Sequence, residues 1–482
     1  MGRDDATVQD VRISDVWLLL RWAVALYSEK QYYARKIERL MEILAKRVAL
    51  TVTDPPRTSG EAHERELMIS PDVDGRDNFS SVAPKTTWRA WYEAFKQIFP
   101  TYFAVHLAVL LAECLSFLFL YSQPYHLVGH PYQQIPTPTF STFWLVWNIW
   151  PHDTPHYIEI ALHGYNSFWL TAYFPLYPLL IRIATPLTGN QPLLAALLVS
   201  NLAGLIMLVV FYQLVKEEFD EVRAKRAVLY LSIFPSAFFF VAGYTETTFL
   251  CFVLLSFYQM RHGRWWWAGL FGFLAALTRN AGILLFIPFC YEYLRQRGFR
   301  LEKVRFDGVS IVLIPAGLSA FMLYCYQRFR DPLAFQHAEA HWHHIMLAPW
   351  TGLLWMLSLM IHAPGLLSFT FQRNAIEFGS TVFIGVLLIL SLFGPWRFPR
   401  AYLASILFAA AVWLLPLFSP IGPPSGVFPY QSLTRYMLVV FPAFIVLASL
   451  GKYRMVHYTY LMVAGTLFFF LLTQFLLGYL VV

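Results

Sequence analysis

From about residue 99 to its end, this chain runs through one apolar stretch after another, separated by short polar interruptions. A helix needs roughly 20 apolar residues to cross hydrocarbon, and a backbone in lipid must satisfy its own hydrogen bonds. Only helices and closed barrels meet that demand. The runs here are continuous and rich in Leu, Phe, Val and Ala, whereas barrels write short alternating segments. An all-α polytopic membrane protein is therefore expected. A composition of 57% hydrophobic and 13% charged residues fits no ordinary soluble domain.

The runs predict about 11 transmembrane helices, near 99–121, 192–215, 227–241, 244–259, 265–278, 281–295, 308–327, 376–394, 400–418, 436–450 and 457–479. The 265–295 stretch is divided at Thr278-Arg279-Asn280-Ala281-Gly282, because a guanidinium at mid-membrane is costly. Loop charge supports the division. With the N-terminus inside, the cytoplasmic loops 216–226, 261–264, 295–305, 396–400 and 451–454 carry 15 of the 36 Lys and Arg, and the region ahead of the first span carries 15 more. The same parity makes 174–187, with Pro175, Pro178 and Arg182, an interfacial helix within the first external loop. Asp153, Glu246, Arg279, Glu339 and Arg435 then all fall on the external side.

Two regions follow: 1–95, an N-terminal cytoplasmic part, and 96–482, the multi-pass domain. Val16–Tyr27 is too short to span, is interrupted by Arg21 and reads as an interfacial helix. No cleavable signal peptide is expected, since Asp4, Asp5 and Asp10 open the chain. The polar stretch 51–87, with Asp54-Pro55-Pro56 and Ser59-Gly60, reads as a disordered linker. The net charge of +7 follows the positive-inside distribution and implies no nucleic-acid partner. Cys114, Cys251, Cys290 and Cys325 lack CxxC spacing and sit in apolar runs, so they read as small hydrophobes. P-loop, GxGxxG and HExxH patterns are absent, which leaves nucleotide-driven transport and zinc proteolysis without support.

Candidate chemistry gathers in the external polar segments. Asp153 lies in Trp150-Pro-His-Asp-Thr-Pro-His-Tyr157 and is placed to act as a general base on an acceptor hydroxyl, or simply as a helix cap. Glu246 follows Tyr244-Thr245 at the start of a span, where it suits the positive end of a helix dipole or a sugar hydroxyl. Arg279 and Arg435 need anionic partners at membrane depth; the guanidinium fork matches phosphate, and a carboxylate such as Glu246 would also serve. His337, Glu339, His341, His343 and His344 surround Trp342 in a spacing that matches no specific metal motif, so no metal site is expected.

The ordered set of these pieces resembles the PIG-V family of mannosyltransferases and its bacterial relatives in the GT-C superfamily. Asp153-x3-Tyr157 with Gly164-Tyr165 comes first, then Phe174-Pro-Leu-Tyr-Pro178. Phe234-Pro-x3-Phe-Phe240 with Tyr244-Thr-Glu246 follows, then Leu277-Thr-Arg-Asn-Ala-Gly282, Phe335-x3-Glu339-x2-Trp342 and Arg435-Tyr436. Together they cover about residues 140 to 450. His152 stands where the family has Trp, and Glu339 where it has Gln. The resemblance implies a GT-C glycosyltransferase that moves mannose from a polyprenyl- or dolichyl-phosphate donor to a glycolipid, glycan or protein acceptor. It implies inversion at the external or lumenal face of a bacterial cell or endoplasmic reticulum membrane, without a cofactor. In that scheme Asp153 is the base, Arg279 and Arg435 hold the donor phosphate, and Tyr157, Tyr244, Glu246, Glu339 and Trp342 bind sugar or acceptor.

Two other classes remain open from the residues alone. A transporter or flippase of lipid-linked sugars would use the same charges, but the chain shows no internal duplication of the kind inverted-repeat transporters carry. A membrane scaffold would leave the convergence of external charges unexplained.

Overall fold

The computed structural model describes residues 87–122, 153–422, 428–430 and 432–476. The Val16–Tyr27 helix, the 51–87 linker up to residue 86, and His152 lie outside these. In chain order the α-helices are α1 (Trp88–Ser122), α2 (Asp153–His163), α3 (Leu176–Ala184), α4 (Pro192–Glu218), α5 (Glu221–Ser232), α6 (Glu246–Arg261), α7 (Trp265–Thr278) and α8 (Phe286–Gln296). They continue as α9 (Leu313–Phe329), α10 (Ala334–Ala338), α11 (Thr351–Ile361), α12 (Phe369–Leu392), α13 (Leu403–Leu414), α14 (Leu433–Met437), α15 (Phe441–Leu450) and α16 (Arg454–Leu476). Short 3-10 turns join several of them. Among the described residues the nearest thing to a strand is one isolated antiparallel bridge, His344 to Ile421. The fold is all-α.

Among the described residues six segments are long and apolar enough to cross a membrane: Trp88–Leu115, Pro192–Glu218, Phe306–Phe329, Phe369–Leu392, Arg400–Phe418 and Arg454–Leu476. Each coincides with an expected span. The other five expected spans are shorter or broken helices, and proline explains two of the breaks. The expected 227–241 helix ends at Ser232, because the residue before Pro235 is pushed out of the helical region, and the chain resumes as the 3-10 turn Ala237–Phe240. The expected 436–450 helix is split into α14 and α15, with Pro442 in the first turn of α15, where its missing N–H costs nothing. Two further departures matter. The span expected from 376 begins at Phe369, which brings Arg373 into a helix, and α11 lies where no helix was anticipated. The nine-residue α3 is too short to span, as its prolines implied.

α6 packs between α4 and α7, and α7 lies against α9. α15 packs against α5 and α12, closing the bundle. The main core is aromatic: Phe234, Phe238, Phe239 and Tyr244 are buried, and Phe238 and Phe239 both pack at an angle on Phe475, at ring distances of 5.4 and 5.2 Å. A second cluster, built on Tyr157, Tyr173, Tyr177, Phe174, Phe321 and Phe335, joins α2 and α3 to α9 and α10. Tyr157 meets Tyr173 and Tyr177 edge-to-face at 5.1 and 5.0 Å, a favoured aromatic geometry. The first residue of α2 stands where the two clusters meet.

Candidate active site

Asp153 opens α2, where the unsatisfied N–H groups of a first turn favour a carboxylate. The helix is tied down beside it: the Thr154 hydroxyl donates to the Gly243 carbonyl at 3.2 Å, and the Tyr157 hydroxyl lies 3.5 Å from that of Thr245. The Asp153 N–H donates to the Tyr244 hydroxyl at 3.4 Å. Its Oδ1 accepts from the Tyr173 hydroxyl at 3.3 Å, and its Oδ2 takes the Arg435 guanidinium at 2.7 Å. Arg435 comes from 282 residues further along the chain, so this pairing is a product of the tertiary fold alone.

Glu246, the first residue of α6, completes the group. Its Oε1 receives the Arg279 guanidinium at 2.6 Å and lies 3.1 Å from Nε of Arg435. Its Oε2 is buried and has no hydrogen-bond partner among the described residues. Two carboxylates and two guanidiniums thus form one chain, Asp153–Arg435–Glu246–Arg279, with formal charges that cancel. Arg279 also lies over the Tyr436 ring at 4.9 Å, and Arg435 over those of Tyr244 and Phe239 at 5.4 and 5.5 Å. The side chain of Asp153 is 19% exposed and that of Glu246 only 1%, so Asp153 is the carboxylate an outside molecule can reach.

Arg279 owes its position to a close approach. α7 ends at Thr278, Arg279 turns to an extended conformation, and the Gly282 N–H donates back to the Arg279 carbonyl at 2.9 Å. Gly282 sits so near the backbone of Ala275 and Ala276 that any Cβ would collide with it. The Arg-Asn-Ala-Gly sequence is therefore a turn that aims a guanidinium while a glycine presses it against the helix.

The sequence-predicted residues are brought together unequally. Asp153, Tyr157, Tyr244, Glu246, Arg279 and Arg435 converge. Glu339 lies in the turn after α10, with its Oε2 3.8 Å from Nε2 of His344. Although 43% of its side chain is exposed, desolvation pushes its carboxyl up from the ordinary value, which His344 and Arg279 oppose and Asp153 reinforces. The side chain of Trp342 lies outside the described residues. His341 stacks on Trp169 at 5.6 Å, while His337 pairs with Asp331 at 2.6 Å and faces elsewhere. His156, between Trp169 and Tyr173 at 4.9 and 5.1 Å, has its pKa lowered by burial.

Tyr173 was missed by sequence reasoning, although it directly precedes the Phe174-Pro-Leu-Tyr-Pro178 motif. The ion pairs of Arg279 and Arg435 with carboxylates match the second reading given for them above, and their fitness for phosphate rests on the same guanidinium fork.

Parts of the chain are similar to known mannosyltransferases. Residues 173–327 match the family model described as dolichyl-phosphate-mannose-protein mannosyltransferase. GPI alpha-1,6-mannosyltransferase 2 of Rattus norvegicus is 29% identical over 202 residues, 37% of this chain and 41% of that protein. GPI mannosyltransferase 2 of Yarrowia lipolytica is 29% identical over 145 residues, 29% of this chain and 40% of that one. The chain thus spans about two-fifths of the length of the curated relatives it matches. Among solved structures, ArnT from Cupriavidus metallidurans bound to undecaprenyl phosphate aligns over 67% of this chain and 61% of its own, with 16% identity and a TM-score of 0.44. Over these matched parts the chain is similar to mannosyltransferases of GPI synthesis.

Proposed function

We propose that this PIG-V-like membrane chain is a glycosyltransferase that moves mannose from a polyprenyl- or dolichyl-phosphate donor to a lipid or glycan acceptor. The observation that carries the reading is the Asp153–Arg435–Glu246–Arg279 chain, with Asp153 at its open end and both guanidiniums held behind it. Burying four charges is costly, and in membrane segments such groups are retained for function. The names of the matched family model and of the relatives supply the sugar and the lipid-phosphate carrier.

In this mechanism the donor phosphate engages Arg435 and Arg279, and Arg435 releases the Asp153 carboxylate in exchange. Asp153 then accepts the proton of the acceptor hydroxyl. The acceptor oxygen forms its bond to the anomeric carbon as the bond from that carbon to the phosphate oxygen breaks, in line and with inversion. The electron pair leaves on the lipid phosphate, where fixed guanidiniums stabilise the developing charge, an effect that commonly supplies the largest share of such catalysis. Glu246 stays paired to both arginines and holds them apart, while Tyr157, Tyr244 and Glu339 bound the sugar and acceptor side. The site opens on the external or lumenal face in the topology set by the loop charges.

The test is transfer from radiolabelled polyprenyl-phosphate mannose into a membrane lipid extract by the full chain and by Asp153→Asn. Transfer by the wild type alone supports the assignment. Near-normal transfer by the variant would remove Asp153 as base, and movement of intact lipid-linked sugar across vesicles without a new glycosidic bond would favour a transporter.

A further inference from the structure

A buried carboxylate outside the constellation holds Thr434, the residue next to Arg435. Glu377 lies in α12 and is 4% exposed. Its Oε2 accepts two hydrogen bonds from one residue, the Thr434 N–H at 2.6 Å and the Thr434 hydroxyl at 2.8 Å. The Thr434 carbonyl in turn accepts from the Ser236 hydroxyl at 3.0 Å. Thr434 is thus gripped from both sides, by α12 and by the turn that replaces the end of the expected 227–241 span. Arg435 is the next residue. Arg373 lies one turn before Glu377 on the same helix.

This grip carries weight because α14 cannot hold itself. A helix of five residues has barely passed nucleation, and its direction is set by tertiary contacts. It starts from Ser432, whose φ of +68° is a left-handed conformation disfavoured for a residue with a Cβ. A charged acceptor binding a backbone N–H is among the stronger hydrogen bonds available, and a carboxylate inside a membrane helix is expensive to keep.

We propose that Glu377 is a positioning residue for the transfer reaction: by clamping Thr434 it fixes the α14 turn so that Arg435 faces Asp153 and Glu246. This rests on the glycosyltransferase reading for its catalytic consequence, though not for its structural one. Glu377 touches neither substrate nor Asp153 and acts through Arg435 only.

The experiment uses the full chain in detergent or nanodiscs, with Glu377→Leu, Glu377→Gln and Glu377→Gln combined with Thr434→Val. In the transfer assay Glu377→Leu should lower kcat by about tenfold or more, as expected for losing one aligned electrostatic contact, while Glu377→Gln, which keeps an acceptor oxygen, recovers most of it. In an Arg435→Lys background Glu377→Leu should cost little more. Full, multiplicative losses in the two together would mean that Glu377 is merely structural. A second readout needs no activity. In thermal unfolding, Asp153→Asn and Arg435→Gln should be non-additive in the wild-type background and additive once Glu377 is Leu, or once the Gln/Val pair replaces a Leu variant that does not fold. Persisting coupling there overturns the proposal. A wild type that transfers no mannose would sink the function reading, and the unfolding cycle would still decide the clamp.

Discussion

Replacing Glu246 by Gln should destabilise this protein more than replacing Arg279 by Gln, although the two side chains form one ion pair at 2.6 Å. The asymmetry follows from how the chain of charges is wired. Without Arg279, Glu246 keeps Arg435 at 3.1 Å, and the loss is that of one charged hydrogen bond, about 1.5–3 kcal/mol. Without the Glu246 charge, Arg435 falls back on Asp153 at 2.7 Å, but Arg279 keeps no ion pair among the described residues and rests on the face of Tyr436 at 4.9 Å. Its side chain is 14% exposed, so water replaces the lost partner only in part. An uncompensated buried charge costs roughly 3–5 kcal/mol. The double variant should be less damaged than the sum of the singles by about 1 kcal/mol or more, because the second change removes the orphan left by the first. The assay is denaturant-induced unfolding of the reconstituted chain, followed by tryptophan fluorescence. Equal effects, or additivity of the two changes, would refute this account of the buried pair.

Two further outcomes are expected. His156 has a folded pKa lowered by burial, so the unfolded chain binds the proton more readily; stability conferred by neutral His156 is present above its ordinary value of about 6.5 and is lost as pH falls below it. A His156→Phe variant should show a smaller drop in melting temperature between pH 7 and pH 5 than the wild type, and an identical drop would contradict the assignment. Gly282→Ala should cost about 1–3 kcal/mol, the usual range for overpacking, and should depress transfer beyond its effect on folded yield because it displaces Arg279; a silent substitution would show that the turn has room to spare.

The apolar runs, the loop charges and the turn chemistry of this chain were enough to determine an all-α membrane fold, six of its long helices and the residue types at its candidate centre. Those properties are local: hydrocarbon imposes a length, proline and glycine impose breaks, and each is written within a few residues. Even so, the expected span 227–241 and the expected span 436–450 came out broken, since Pro235 and Pro442 act on backbone geometry that a hydropathy window averages away. Pairing was another matter. Glu246 was legible as a partner for a guanidinium, but nothing in the order of residues says that Arg435 should reach back 282 positions to Asp153 or that Tyr173 should touch the Asp153 carboxylate. Buried charges choose partners by where helices pack. That choice is made only when α2, α6, the turn after α7 and the short α14 are brought to one place, with Glu377 holding the last of them.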